Sequence, residues 1–167
     1  PAIGWIDSYS EYADEIKEWW DKFDSRWATI RLEALDLLKK EQRLEQIVRL
    51  IGPDALPDTE RLILVVAEMI KNGFLQQNAF DAVDVYSVPE KQILILELIM
   101  EYYERALNVI KQGCPLLKIV ALNCREDIIR IKTSVPNDNV GLIKEIESHL
   151  ESEFSSLERL YRKAETI

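Results

Sequence analysis

The sequence predicts an all-α protein, and three observations carry that expectation. Apolar residues recur at three- and four-residue spacing through most of the chain. Only 5 Gly and 6 Pro among 167 residues leave little room for the turns of a β architecture. The periodic segments are bounded by helix start and stop residues rather than by hairpin signals. The length suits one helical domain over residues 1–167, burying roughly 70% of the surface of its unfolded chain. Hydrophobic content of 47% with four Trp fits a packed core and not a disordered chain.

Taken in order, Ser8 with Glu11 has the spacing of a capping box, and Tyr12, Ile16, Trp19, Trp20 and Phe23 follow at helical intervals. A second helical segment starts near Asp24 or Ser25 and runs through Trp27, Ile30, Ala34 and Leu37. A related apolar run, Leu44, Ile47, Val48 and Ile51, reaches Gly52, a natural stop. Gly52-Pro53 and Leu56-Pro57 interrupt any helix, because proline disfavours helical geometry in the residue before it. Asp58 is expected to N-cap the next helix, which should stop at Asn72-Gly73. Its Leu62-Ile63-Leu64-Val65-Val66 run has strand character, but cap and stop stand too far apart for a typical strand. Residues 74–88 have no sustained period and read as an ordered loop.

Pro89 is suited to the first position of a long helix ending near Gly113. There Glu97, Glu101, Glu104, Asn108 and Lys111 make one narrow polar stripe on an otherwise apolar cylinder, the mark of a central helix. Short helices are expected over 116–122 and about 125–133. A final one from about Asn137 lines Ile143, Ile146, Leu150, Phe154, Leu157 and Tyr161 along one face.

Composition excludes several functions. The balance of 30 acidic against 21 basic residues gives a net charge of −9, without the basic footprint that nucleic-acid binding needs. No apolar run reaches the roughly 18 residues of a membrane span and no signal peptide is visible, so direct membrane insertion is not expected. Cys114 and Cys124 stand outside zinc-ligand or CxxC spacing and read as reduced, packed thiols. His149 is the only histidine, which leaves no conventional triad or His-rich metal site, and it reads as a bystander beside an apolar stripe. No Gly precedes a Lys, so the GxxxxGK[ST] phosphate cradle is absent. Glu97 and Glu101 read as polar contacts of a helix surface. Neither catalytic nor metal-ligating residues are expected in this chain.

Four stretches, PAIGW, GPDALP, FLQQNAFD and PEKQ, occur in that order. In them the chain closely resembles the C-terminal region of the catalytic A subunit of archaeal and bacterial A/V-type rotary ATPases, departing at Ser87 and Val88, where that family carries Cys-Pro. The resemblance implies a C-terminal helical bundle excised from a larger polypeptide, and the start at Pro1 without Met also favours that reading. It implies a parent that uses ATP/ADP and Mg2+ and couples ATP hydrolysis or synthesis to H+ or Na+ transport. That parent would sit in a peripheral membrane complex on the cytoplasmic face. The phosphate loop, catalytic glutamate and magnesium ligands would lie upstream, leaving this fragment inactive and without a cofactor of its own.

Two site expectations come with the resemblance. Related rotary ATPases clasp the adenine ring with loop aromatics, and by position these are Phe80 and Tyr86. Six residues apart in an irregular loop, they can converge on one face. The ordinary alternative is core packing. The turn Asp54-Ala55-Leu56-Pro57-Asp58-Thr59-Glu60 falls where the F-type catalytic subunit carries its acidic DELSEED lever, although this chain has two prolines and fewer acids there. It is expected to bear on the central stalk, and the implied partners are the stalk subunits and the neighbouring B subunits. Trp5 would seal the joint to the nucleotide-binding domain. A rival reading is an independent helical adaptor that binds a partner helix in an apolar groove; an upstream GxxxxGK[ST] in the gene would decide between them.

Overall fold

The structure, a computed structural model, describes residues 26–162. The expected helix around Tyr12 to Phe23, its Ser8 cap, and Trp5 lie outside the described residues. Six α-helices follow one another, and no strand occurs among the described residues. They are α1 (Trp27–Ile51), α2 (Asp58–Met69), α3 (Pro89–Lys111), α4 (Leu116–Val120), α5 (Asn123–Ser134) and α6 (Ile143–Arg162). Short 3-10 turns lie at Pro53–Ala55 and Val140–Leu142. None of the described helices is long and apolar enough to cross a membrane.

The long helix α3 is the axle of the bundle, as its single polar stripe foretells. It packs against α1, α2, α5 and α6, and Ile93, Leu96, Ile99, Ala106 and Val109 are buried on it. Pro89 occupies its first turn, where a missing N–H costs nothing. Fully buried Tyr102 knits the neighbours together: its hydroxyl donates to the Ile119 carbonyl at 3.0 Å, and its ring meets Phe154 edge-on at 5.3 Å. Ile143, Leu150 and Phe154 are buried along the expected face of α6, with Ile146, Leu157 and Tyr161 packed beside them. Cys114 and Cys124 are free, buried thiols, and burial pushes both of their pKa values up.

Four local expectations are corrected. The two segments before Gly52 form one 25-residue helix, since no Gly or Pro interrupts 27–51. Gly52 ends it with φ of +83°, the left-handed geometry that glycine adopts without strain. Within that helix Leu44 faces the core and Val48 is half-buried, but Ile47, Leu50 and Ile51 are exposed.

Asp58 does not cap its own helix. Pro57 holds the N-cap position, its carbonyl accepts the N–H groups of Glu60 (2.9 Å) and Arg61 (3.0 Å), and Asp58 is the first helical residue. Its carboxylate instead accepts the N–H of Leu116 at 2.8 Å, the first residue of α4.

Asn72-Gly73 does not stop α2, which runs on into a π-helical turn, Ile70–Leu75. Gly73 serves close approach there: a Cβ on it would stand 3.3 Å from Ile129 Cα of α5. The turn is held from the other side by Lys71, paired with Glu41 of α1. Burial outweighs Lys71 and leaves the Glu41 pKa raised.

His149 is no bystander. Its Nδ1 lies 2.9 Å from Asp127 and its Nε2 3.6 Å from Glu153, joining α5 to α6. Glu153 in turn accepts the N–H groups of Asn123 (3.3 Å) and Cys124 (2.8 Å), so a side chain of α6 caps the start of α5.

Candidate functional site

The aromatic loop, residues 76–88, joins the π-helical turn to α3 and is built by its own short polar side chains. Asn78 Oδ1 accepts the Phe80 N–H at 3.0 Å, and Asp81 Oδ1 accepts those of Val83 and Asp84, both at 2.9 Å. Such side-chain turns give the backbone partners without helix or sheet. The Asp84 and Val83 N–H groups also hold the Asp81 carboxyl below its ordinary pKa. Asp84 is buried; its Oδ2 accepts the Asn78 N–H at 2.6 Å, and its carbonyl accepts Gln77 Nε2 at 2.7 Å.

On this base the two expected aromatics face solvent. Phe80 is 101% exposed and Tyr86 66%, and neither belongs to the core cluster. A small cavity of about 160 Å³ lies under the loop, bordered by Gln77, Asp84, Ser87 and Lys132, but neither ring lines it.

Side chains from outside the loop fasten it, directly or through one another. Lys132 Nζ donates to the Gln76 carbonyl at 2.7 Å, and Asn137 Nδ2 donates to the Tyr86 carbonyl at 2.7 Å. Lys91, wholly buried, donates to the Lys132 carbonyl at 2.9 Å. Burial pushes the Lys91 pKa down, while the carboxylates of Asp84 and Asp81 pull it back up. Sequence reasoning missed all three, because their spacing from the loop's partners follows no local period.

The acidic turn divides in two. Asp54, Ala55 and Pro57 are exposed, whereas Leu56 is only 7% exposed and plugs the turn into the bundle. Asp58, Thr59 and Glu60 form the half-buried first turn of α2. Beside this tip stand the exposed Ile47, Leu50 and Ile51 at the end of α1, an i, i+3, i+4 stripe of which Ile47 and Ile51 belong to the apolar run read from the sequence. The tip and the aromatic loop sit at opposite ends of the unit made by α2 and the π-helical turn, and twelve helical residues alone span roughly 18 Å.

A larger cavity, about 390 Å³, lies between α1, α3 and α6 and carries Glu33, Glu97, Glu101, Glu104 and Glu147 together with Arg26. Glu97 pairs with Arg26 at 2.6 Å and Glu101 with Arg105 at 2.8 Å, so both glutamates make polar contacts. Among the described residues no group of three or more potential ligands could hold a metal ion.

The acidic turn and the aromatic loop both lie within a stretch that matches a known family. The family model for the C-terminal domain of V and A type ATP synthase matches residues 17–120. The A subunit of the A-type ATP synthase of Pyrococcus abyssi is 43% identical over 162 residues, covering 96% of this chain and 16% of the relative. Its counterpart in Methanopyrus kandleri is 45% identical over 159 residues, 94% of this chain and 27% of the relative. The V-type ATP synthase alpha chain of Halothermothrix orenii is 40% identical over 164 residues, 98% of this chain and 28% of the relative. This chain therefore spans under a third of the length of these curated relatives. Helices α5 and α6 lie beyond the stretch that the family model matches.

Proposed function

Because this chain belongs to the family of C-terminal domains of V- and A-type ATP synthases, we propose that residues 1–167 are the single helical C-terminal domain of a catalytic A subunit. The intact subunit uses ATP/ADP with Mg2+ and couples ATP synthesis or hydrolysis to H+ or Na+ movement. It does so within a peripheral complex on the cytoplasmic face of a membrane. The residues that hold phosphate and metal lie upstream, so the chain alone neither hydrolyses nor appreciably binds ATP. Family membership takes the place of the independent-adaptor alternative.

Within the intact protein, Phe80 and Tyr86 supply an aromatic wall against adenine, and the other half of the pocket comes from the nucleotide-binding domain. One observation carries this reading: Phe80 is a fully exposed phenyl ring on a loop whose backbone is tied down by side chains. A solvated aromatic adds nothing to the core, whereas stacking on a base is worth about 1–3 kcal/mol. At the other end of α2, the tip from Asp54 through Ala55, Leu56, Pro57, Asp58 and Thr59 to Glu60 bears on the central-stalk subunits, with neighbouring B subunits alongside. Exposed charges contribute only about 0.2–1 kcal/mol per pair, which suits a contact that must slide as the stalk turns.

The test is equilibrium binding of Mg-ATP to the intact subunit. Phe80→Ala and Tyr86→Ala are each expected to weaken binding about five- to hundredfold while the helical content stays unchanged. Wild-type affinity in both variants would remove the rings from the nucleotide site.

A further inference from the structure

We infer that the C-terminal end of α5 and the turn after it form a clamp that positions the aromatic loop, with Lys132 and Asn137 as positioning residues and Lys91 as a buried strut beneath them. The consequence for nucleotide binding rests on the reading of Phe80 and Tyr86 given above; the clamp itself does not.

Lys132 acts at two points. Its side chain reaches the first residue of the loop through the Gln76 carbonyl, and its own carbonyl receives the buried ammonium of Lys91. The Lys132 ammonium also stands 4.0 Å from Asp84 Oδ2, the buried carboxylate around which the loop folds. Asn137 grips the other end of the loop. Its Nδ2 donates to the Tyr86 carbonyl, and its Oδ1 accepts the Val88 N–H at 3.4 Å, so one amide brackets Ser87. Gln92 Nε2 adds a bond to the Ser87 carbonyl at 3.1 Å. Both ends of the loop are thus fastened to residues 132–137.

The chemistry of each contact favours fixed geometry. The ammonium of Lys91 has no access to solvent and must keep its donor on Lys132 and its field from Asp84 and Asp81. Carbonyls at 76 and 86 are turned toward specific donors, which sets the backbone from which the rings at 80 and 86 project. A further point sets the clamp apart from the loop it holds. The loop lies inside the stretch matched by the family model, residues 17–120, whereas Lys132 and Asn137 lie outside it. A segment beyond that stretch orients residues within it.

The experiment compares Lys132→Met, Lys132→Arg and Asn137→Ala in the intact subunit. Hydrogen exchange of backbone amides is followed over residues 77–88, with α3 as the reference for global folding. The Met and Ala variants should speed loop exchange roughly tenfold or more and leave α3 unchanged, because a local tether has been cut. Lys132→Arg keeps a donor and should restore slow exchange. Binding of Mg-ATP should weaken about three- to tenfold in the Met and Ala variants, while inorganic tripolyphosphate, which has no base to stack, should bind as before. Loop exchange within twofold of wild type in both variants would overturn the clamp, since the turns of Asn78 and Asp81 would then suffice. Should Lys132→Met loosen α3 as well, Asn137→Ala decides alone, because that residue sits on a half-exposed turn. The two readings fail separately. Unchanged ATP affinity in Phe80→Ala and Tyr86→Ala removes the nucleotide site, while the exchange measurement still decides the clamp.

Discussion

Asp58→Ala gives the sharpest test of how the bundle is tied together. The carboxylate lies at the start of α2, yet its Oδ2 takes the N–H of Leu116, which is 5% exposed and opens α4 directly after Pro115. Removing it leaves a buried donor without a partner, at a cost of about 1–3 kcal/mol. Loss of a negative charge from the first turn of α2 adds about 0.3–1 kcal/mol. The Arg61 contact, 3.4 Å with both side chains about a third exposed, adds little. The expected total is about 1–4 kcal/mol, a shift of roughly 0.7–2 M in the urea midpoint for an m-value near 2 kcal/mol/M. Asp58→Asn keeps an oxygen acceptor and should lose about half as much. Urea unfolding of the 167-residue chain by circular dichroism reads the midpoint, and exchange at the Leu116 amide locates the damage. If the amides of Thr59 to Arg61 lose protection while Leu116 keeps its own, Asp58 is an ordinary cap of α2 and the cross-helix bond is not what stabilises the fold.

The remaining expectations test the tip, the close helix contact and the α5–α6 joint. Asp54→Ala with Glu60→Ala should change stability by less than about 0.5 kcal/mol and lower ATP-driven torque in the assembled complex without altering nucleotide affinity. Buried Leu56 is unsuitable for that test, since its truncation would itself cost about 2–4 kcal/mol. Gly73→Ala gains at most about 1 kcal/mol of helix propensity but drives a Cβ to 3.3 Å from backbone in α5, so thermal melting should show a net loss on the order of 1 kcal/mol. For Glu153, burial raises the pKa, but the Cys124 and Asn123 contacts and His149 lower it further, so the native value lies below the ordinary 4.5. A depressed carboxyl stabilises the fold above its unfolded pKa and loses that effect as pH falls through the native one. Acid titration of wild type should therefore show loosening of α5 against α6 below pH 4.5 that Glu153→Gln lacks.

Much of this architecture is written in local periodicity. The polar stripe of Glu97, Glu101, Glu104, Asn108 and Lys111 marked α3 as the central helix, and the Ile143 to Tyr161 face marked α6, because an amphipathic helix records in one dimension which side is buried. Gly52 and Pro89 announced a helix end and a helix start through backbone geometry alone. The four ordered motifs sufficed to place the chain in its family. Periodicity failed wherever the deciding partner lies far along the chain. Asp58 meets an N–H 58 residues away, Gly73 is needed for the backbone of Ile129, and His149 answers to Asp127 and Glu153. Ile47 and Ile51 carry the same spacing as core residues but end in solvent. Most helical segments and their apolar faces could be read from the residues alone, since both depend on neighbours within a turn or two. Where the loop of Phe80 and Tyr86 is held, and which faces are covered, emerged from the packed bundle, because those outcomes depend on side chains that meet only after the helices have packed.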